Sequence, residues 1–380
     1  MSVRFLIILL LFNMSGVHGT RTLLTLYSVE LGAAPVVIGM LAACFGIVPL
    51  LFSWTSGKLA DRFGSRWLML WGVAGSALGI LLPFFLPGVP ALMAAAICNG
   101  LTTTFCNVSL QTLVGKFSTP ENRARNYSNF SLAGAMTNVV GPLAAGFGID
   151  LIGYQHTCVL MFGIFLLPVV LLATRGHLLP PGSGEPAASG GLRELLAVPG
   201  VGRAMAASGI GQVGADFFQI YLPVYARALG HSASTIGIIL ACFSLAQFAS
   251  RVFMPGLIAR FNEQAVLAYA FGVAAAAFAL IPFCEQAWAI GTAAFLTGLG
   301  MGFSRPISMM MMYAHSPAGR SAEAMGLRLT AENMTRMVGP VVFGAIASAA
   351  GLGAIFWLNA LMMGAGGHYL KRGDSTRERG

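Results

Sequence analysis

Apolar runs of about 20 residues recur from one end of the chain to the other, separated by short stretches of charged and turn-forming residues. A run of that length, helical at 1.5 Å per residue, spans the roughly 30 Å hydrocarbon core of a bilayer. Hydropathy and turn residues together predict twelve spans, at 4–29, 35–56, 67–86, 90–113, 126–149, 157–174, 203–226, 233–255, 265–283, 288–312, 325–349 and 352–370. The expected fold class is all-α and integral to the membrane.

Composition agrees with this pattern. Hydrophobic residues make up 56% of the 380 and charged residues only 9%, whereas a soluble chain keeps about a quarter charged. The net charge of +9 is dispersed over short loops, which argues against nucleic acid as a partner. From a cytoplasmic N-terminus, most of the 22 basic residues fall in cytoplasmic segments, with Arg227 alone on the other side and Arg21, Arg251, Arg305 and Arg336 inside spans. That bias predicts both termini in the cytoplasm. The six cysteines lie almost all in apolar runs without C-x-x-C spacing, as buried small hydrophobes do.

An internal repeat organises the spans. Residues 38–45, IGMLAACF, recur as 236–243, IGIILACF, and the same offset of 198 superposes Leu31-Gly32 on Leu229-Gly230 and Gly141-Pro142 on Gly339-Pro340. The opening MSVRFLIILLLFNMSGVHGT has the look of a signal peptide, yet its span has a partner in the seventh, so retention is expected. The domain reading is therefore a six-helix half at 1–174, a Pro/Gly/Ser-rich cytoplasmic linker at 175–200, a second half at 201–370 and a tail at 371–380. Two pseudo-symmetric six-helix bundles are a common transporter architecture, with substrate bound near the midplane.

Between spans 2 and 3 stands GKLADRFGSR, whose Gly57, Asp61, Arg62, Gly64 and Arg66 match the loop signature G-x-x-x-D-R-x-G-R-R/K. The chain thereby resembles the major facilitator superfamily, with Ser65 departing from the pattern. The resemblance implies that Asp61 and its basic neighbours latch the cytoplasmic side as the transporter switches. Span 5, with Gly134, Gly141-Pro142 and Gly146-Phe147-Gly148, is similar to the helix-packing motif of the drug/proton antiporters, and Gly339-Pro340 repeats it in span 11. Ala96 stands where those antiporters carry an arginine in span 4, so their usual proton route does not carry over.

Charges at the bilayer centre cost about 2.5–3.5 kcal/mol each on insertion scales, which makes their positions informative. The repeat offset pairs His18 with Asp216, Asn107 with Arg305 and Asn138 with Arg336, suggesting one shared cavity. His18, Arg21 and Thr25 share a helical face, as do Gln212, Asp216 and Gln219, and Asn99, Thr103, Asn107 and Gln111 form a stripe. Asp216 is the candidate proton site, aided by His18; the alternative is a permanent ion pair with an arginine of a facing helix. Burial and a cationic neighbour move a carboxyl's proton affinity in opposite senses, so alternation between them loads and unloads a proton. Arg21, Arg305 and Arg336 suit a carboxylate or phosphate. Glu332, four residues before Arg336, is expected to neutralise it. Arg251 is expected to snorkel or latch near the end of span 8. Phe217, Phe218 and Tyr221 either touch an amphipathic solute or belong to the core. Met309 to Met312 with His315 read as apolar filler, so no metal is expected.

No phosphate loop, metal-ligand spacing or nucleophile–base pair marks an enzyme. The expectation is a secondary active transporter, exporting small amphipathic or anionic molecules with protons as coupling ion. Its rivals are proton-symport uptake of an organic anion and a non-transporting sensor or assembly factor. The remaining expectations are no cofactor beyond the proton motive force, a small-molecule substrate, a surrounding lipid bilayer, a monomeric state and a bacterial inner membrane.

Overall fold

The computed structural model describes residues 3–63, 65–117, 123–176, 179, 200–315 and 321–375, with side chains excepted at 3, 53–63, 107–108, 111–112, 115–116, 123–125, 127–128, 131, 255, 313–315, 321–326, 329–330 and 372–375. Among the described residues every regular element is helical. Spans 1 to 4 are Val3–Glu30, Pro35–Phe63, Ser65–Phe85 and Val89–Lys116, and spans 5 and 6 are the two arms of Arg123–Arg175, broken at Gly153. Spans 7 to 9 are Val201–Ala228, Ala233–Phe261 and Glu263–Leu280. Span 10 is Ala287–Gly302 continued by Ser304–His315, and Ser321–Ala350 and Leu352–Ser375 are spans 11 and 12. Several helices outrun the predicted limits, because a helix continues past the hydrocarbon until a cap or turn stops it.

Eight described helices are long and apolar enough to cross a membrane, and one of them, the 44-residue stretch Leu132–Arg175, holds both span 5 and span 6. Spans 7, 11 and 12 are not among the eight. Gln212, Asp216 and Gln219 lower the hydropathy of span 7, Arg328, Glu332 and Arg336 that of span 11, and Asn359 and His368 that of span 12.

The repeat is visible in the backbone. Gly32 and Gly230, 198 apart, have φ of 72° and 85°, and Gly153 and Gly351, also 198 apart, have φ of 78° and 86°. A left-handed residue at these turns favours glycine, which has no Cβ to clash. At the first pair the hydrogen bonds also coincide: Ala33 and His231 each donate to the carbonyl five residues back, Ser28 and Ala226, at 3.0 and 3.1 Å.

Contacts divide the chain into two compact units: Met1–Ala187 with Ala226–Ala241, and Ala188–Tyr225 with Cys242–Gly380. In the first unit, span 1 lies against spans 4 and 5. The Thr102 hydroxyl donates to Asn13 Oδ1 at 2.9 Å. Gly141 packs directly on span 1, where a methyl group would meet Ser15 O at 2.7 Å and Gly19 N at 2.8 Å. Pro142 O would lie 2.8 Å from a Cβ at Gly237, so the Gly-Pro step packs span 5 on the start of span 8 as well. Gly339, its counterpart in span 11, has open space at the same position, while the carbonyl of Pro340 accepts a hydrogen bond from the Tyr221 hydroxyl.

Span 8 begins on a cap borrowed from another helix. Asp150, at the end of the span 5 arm three residues before the Gly153 break, accepts from the amides of Ala233 at 3.1 Å and Ser234 at 2.7 Å, groups that a helix start leaves unsatisfied. Burial pushes the Asp150 carboxyl up, but hydrogen bonds from Ser234, Ala233 and Ser232 together outweigh it and hold the group below the usual carboxylate range. A carboxyl lowered by folding stabilises fully above its unfolded value of about 3.9, and the contribution fades as pH falls through the folded value. Asp150→Ala is expected to lower stability near neutral pH by about 1 kcal/mol, the scale of a lost N-cap. Unfolding midpoints of the two proteins should converge below about pH 4, and a constant gap down to acid pH would show that the cap is not electrostatic.

Candidate functional site

In the second unit, spans 7 and 11 face each other with polar residues one turn apart. Ser208, Gln212 and Asp216 are spaced i, i+4, i+8 on span 7, and Arg328, Glu332 and Arg336 have the same spacing on span 11. Residues four apart share a helical face, so two parallel stripes come together. Asp216 is 3% exposed, and its Oδ2 accepts from Gln212 Nε2 at 2.7 Å and from Arg336 Nε at 3.2 Å. The Arg336 side chain keeps 21% of its surface.

Two turns away the second rung is more deeply buried. Glu332 Oε1 accepts from the Ser208 hydroxyl at 2.5 Å and from Arg328 Nη1, and Arg328 Nη1 also reaches Ser208 Oγ at 3.0 Å. Arg305 Nη2, from span 10, stands 3.9 Å from Glu332 Oε2 with more than half of its side chain exposed.

Two sequence expectations are corrected here, the partner of Glu332 and the place of Arg328. Glu332 pairs with Arg328 behind it on the helix instead of Arg336 ahead of it. Arg336 pairs with Asp216 of the facing span, because an aspartate on the opposite helix competes for the guanidinium with the glutamate one turn away. Arg328, counted with the cytoplasmic basic residues, is 3% exposed. Its signal in the sequence is the i, i+4 spacing to Glu332, masked by its place near the predicted end of span 11. The signal for Ser208 is weaker, a place one turn before Gln212 on the stripe that ends at Asp216.

Phe217, Phe218 and Tyr221 belong to the core. All are at most 2% exposed, and they interlock with Phe243, Phe278, Phe343 and Phe356. Gln219 is half-buried. Arg251 has its Nε buried without a hydrogen-bond partner among the described residues. Met311 and Met312 are buried, Met309 and Met310 exposed, and no group of three metal-ligating residues occurs among the described residues.

In the first unit, His18 lies beside Gly141 and its carbonyl accepts from Thr22. The Arg21 guanidinium stands 5.9 Å over the Phe45 ring. Asn138 donates to Gly134 O within its own helix. Asn99 is 1% exposed, and neither end of its amide has a partner among the described residues. The side chains of Asn107 and Gln111 lie outside the described residues, as do those of Gly57, Asp61, Arg62 and Gly64 in the latch motif. Arg66 of that motif caps span 6, its Nη2 donating to Ala173 O at 2.9 Å, as a cation at a helix C-terminus does. Glu30 and Arg227, at the ends of spans 1 and 7, pair at 3.1 Å.

The sequence pattern of the Major Facilitator Superfamily matches residues 6–231 and 204–379. The chain belongs to the Major Facilitator Superfamily. It is a multi-pass membrane transporter with a small-molecule substrate, and not an enzyme. The chain is 24% identical over 322 residues to the class G tetracycline resistance protein of Vibrio anguillarum, covering 82% of this chain and 80% of that protein. It is 29% identical over 169 residues to the multidrug resistance protein MdtH of Proteus mirabilis, covering 43% and 42%. Among solved transporters of this fold, the nucleoside transporter NupG superposes with a TM-score of 0.79 at 13% identity, over 98% of this chain and 99% of that one. The peptide transporter POT in complex with sulfate gives 0.81 at 14% identity, over 97% and 93%. At such identities the superpositions carry the fold alone.

Proposed function

We propose that the chain is a proton-coupled exporter of small amphipathic or anionic molecules, working by alternating access. The buried bond between Asp216 and Arg336 carries this reading. For export the two must take turns: the ionised Asp216 paired with Arg336 is the solute-binding state, and a proton on Asp216 breaks the pair and displaces the solute. Proton and solute would therefore exclude one another through a single bond between spans 7 and 11. Arg305, more than half exposed beside Glu332, would extend the cationic surface. Export is favoured by the tetracycline and multidrug resistance proteins among the relatives, and by the staphylopine export protein of Staphylococcus aureus, 25% identical over 145 residues and covering 38% of this chain and 35% of that protein. The driving force would be the proton motive force, across a bacterial inner membrane, with both termini cytoplasmic and the transporter a monomer.

Reconstitution into liposomes with an imposed pH gradient, against a panel of tetracyclines, other amphipathic drugs and organic anions, tests the proposal. Gradient-dependent antiport of a panel member is the expected result. Co-transport of an organic anion with protons would point to uptake instead, and a panel without gradient-dependent flux would overturn the coupling.

A further inference from the structure

A groove of about 960 Å³ opens on the second unit between spans 8, 9 and 10. Its walls are apolar, from Phe253 and Leu257 on span 8, Tyr269 and Val273 on span 9, and Leu299 and Phe303 on span 10. Phe253, Tyr269 and Val273 are exposed, so the groove is open along its side. Along span 8 it runs from Ser250 to Arg260, ten residues or roughly 15 Å of helix. That is the depth of one leaflet of a hydrocarbon core about 30 Å thick.

One end of the groove is cationic. Arg260 lines it and stands 5.3 Å over the ring of Phe261, and the Lys371 ammonium stands 5.6 Å over the ring of Tyr269. Each aromatic ring holds its cation at the rim. Glu263 opens span 9 nearby, yet among the described residues neither cation has a carboxylate within ion-pair distance. An apolar trough one leaflet deep, with Arg260 in its lining and Lys371 over the Tyr269 ring of its wall, matches a molecule with an acyl chain and an anionic head. We infer that this groove is a binding site for an anionic phospholipid of the leaflet at the Arg260 end, the cytoplasmic leaflet if both termini are cytoplasmic. Its phosphate sits between Arg260 and Lys371, and an acyl chain lies along Phe253, Leu257 and Val273. The site is distinct from the Asp216 and Glu332 rungs, so it holds whether or not the transport proposal does.

Each basic residue near a membrane surface contributes about fivefold toward anionic lipid, so the pair should give roughly a 30-fold preference. The full-length protein in detergent is titrated with phosphatidylglycerol and with phosphatidylcholine of the same chains, and bound lipid is counted by native mass spectrometry. Wild type should prefer phosphatidylglycerol, Arg260→Gln with Lys371→Gln should lose that preference, and Arg260→Lys with Lys371→Arg should keep it. Arg175→Gln removes a basic residue of the first unit that is no part of the groove's lining and should change nothing. An equal loss on Arg175→Gln, an undiminished preference in the double glutamine variant, or glycerophosphate competing as well as the intact lipid would each overturn the assignment.

Discussion

Asp216→Asn is expected to abolish the pH dependence of transport and to lower gradient-driven flux by about a hundredfold, the scale on which loss of a proton-transferring side chain acts. Asparagine keeps the shape of the residue and can still meet Gln212, but it neither takes up a proton nor releases Arg336 by doing so. The variant also leaves a guanidinium with little exposure and without the carboxylate it is paired to. Breaking a buried pair from one side costs about 3–5 kcal/mol, and the lower end applies because Arg336 retains a fifth of its surface. Stability and coupling are therefore measured separately. Asp216→Asn with Arg336→Gln should recover most of the unfolding midpoint in detergent and none of the gradient-driven flux. Flux that survives with an unchanged pH profile in the single variant would reduce the pair to a structural tie between spans 7 and 11.

Glu332→Gln is expected to act in the opposite proportion. Glu332 and Arg328 are on one helix, and both are at most 3% exposed, so sliding of one span past another does not separate them. Removing the carboxylate charge strands Arg328 in the interior at a cost of about 3–5 kcal/mol, which a lowered unfolding midpoint would record. Glu332→Leu with Arg328→Met should restore most of that loss, since apolar residues of similar volume replace buried ion pairs at little or no cost. The sign of the difference between the two rungs is the informative result. The rung that crosses helices is expected to govern coupling, and the rung within a helix to govern stability. A midpoint that Glu332→Gln leaves within about 1 kcal/mol of wild type would mean that water or Arg305 already compensates Arg328.

Much of the architecture is legible in the apolar pattern and the repeat. Span order follows from apolar runs, and the offset of 198 between IGMLAACF and IGIILACF reappears as two pairs of left-handed glycines, Gly32 with Gly230 and Gly153 with Gly351. Hydropathy alone reads spans 7, 11 and 12 least well, in spans 7 and 11 because the polar residues that make them interesting also make them look soluble. The partners of the buried charges are harder to read. Helical spacing offers Glu332 two arginines, Arg328 four residues before and Arg336 four residues after, and nothing local chooses between them.

The sequence by itself determined that this is a chain of membrane-spanning helices built from a repeated half, because hydrophobic length and turn glycines are local properties of a segment. It also picked out charges that are expensive to bury, Asp216, Glu332 and Arg336 among them, while Arg328 passed for a cytoplasmic residue. Only the tertiary structure decided which charge answers which. Span 7 presents Asp216 to Arg336 and Ser208 to Glu332, and ion pairing depends on distances between helices that no spacing along one helix specifies.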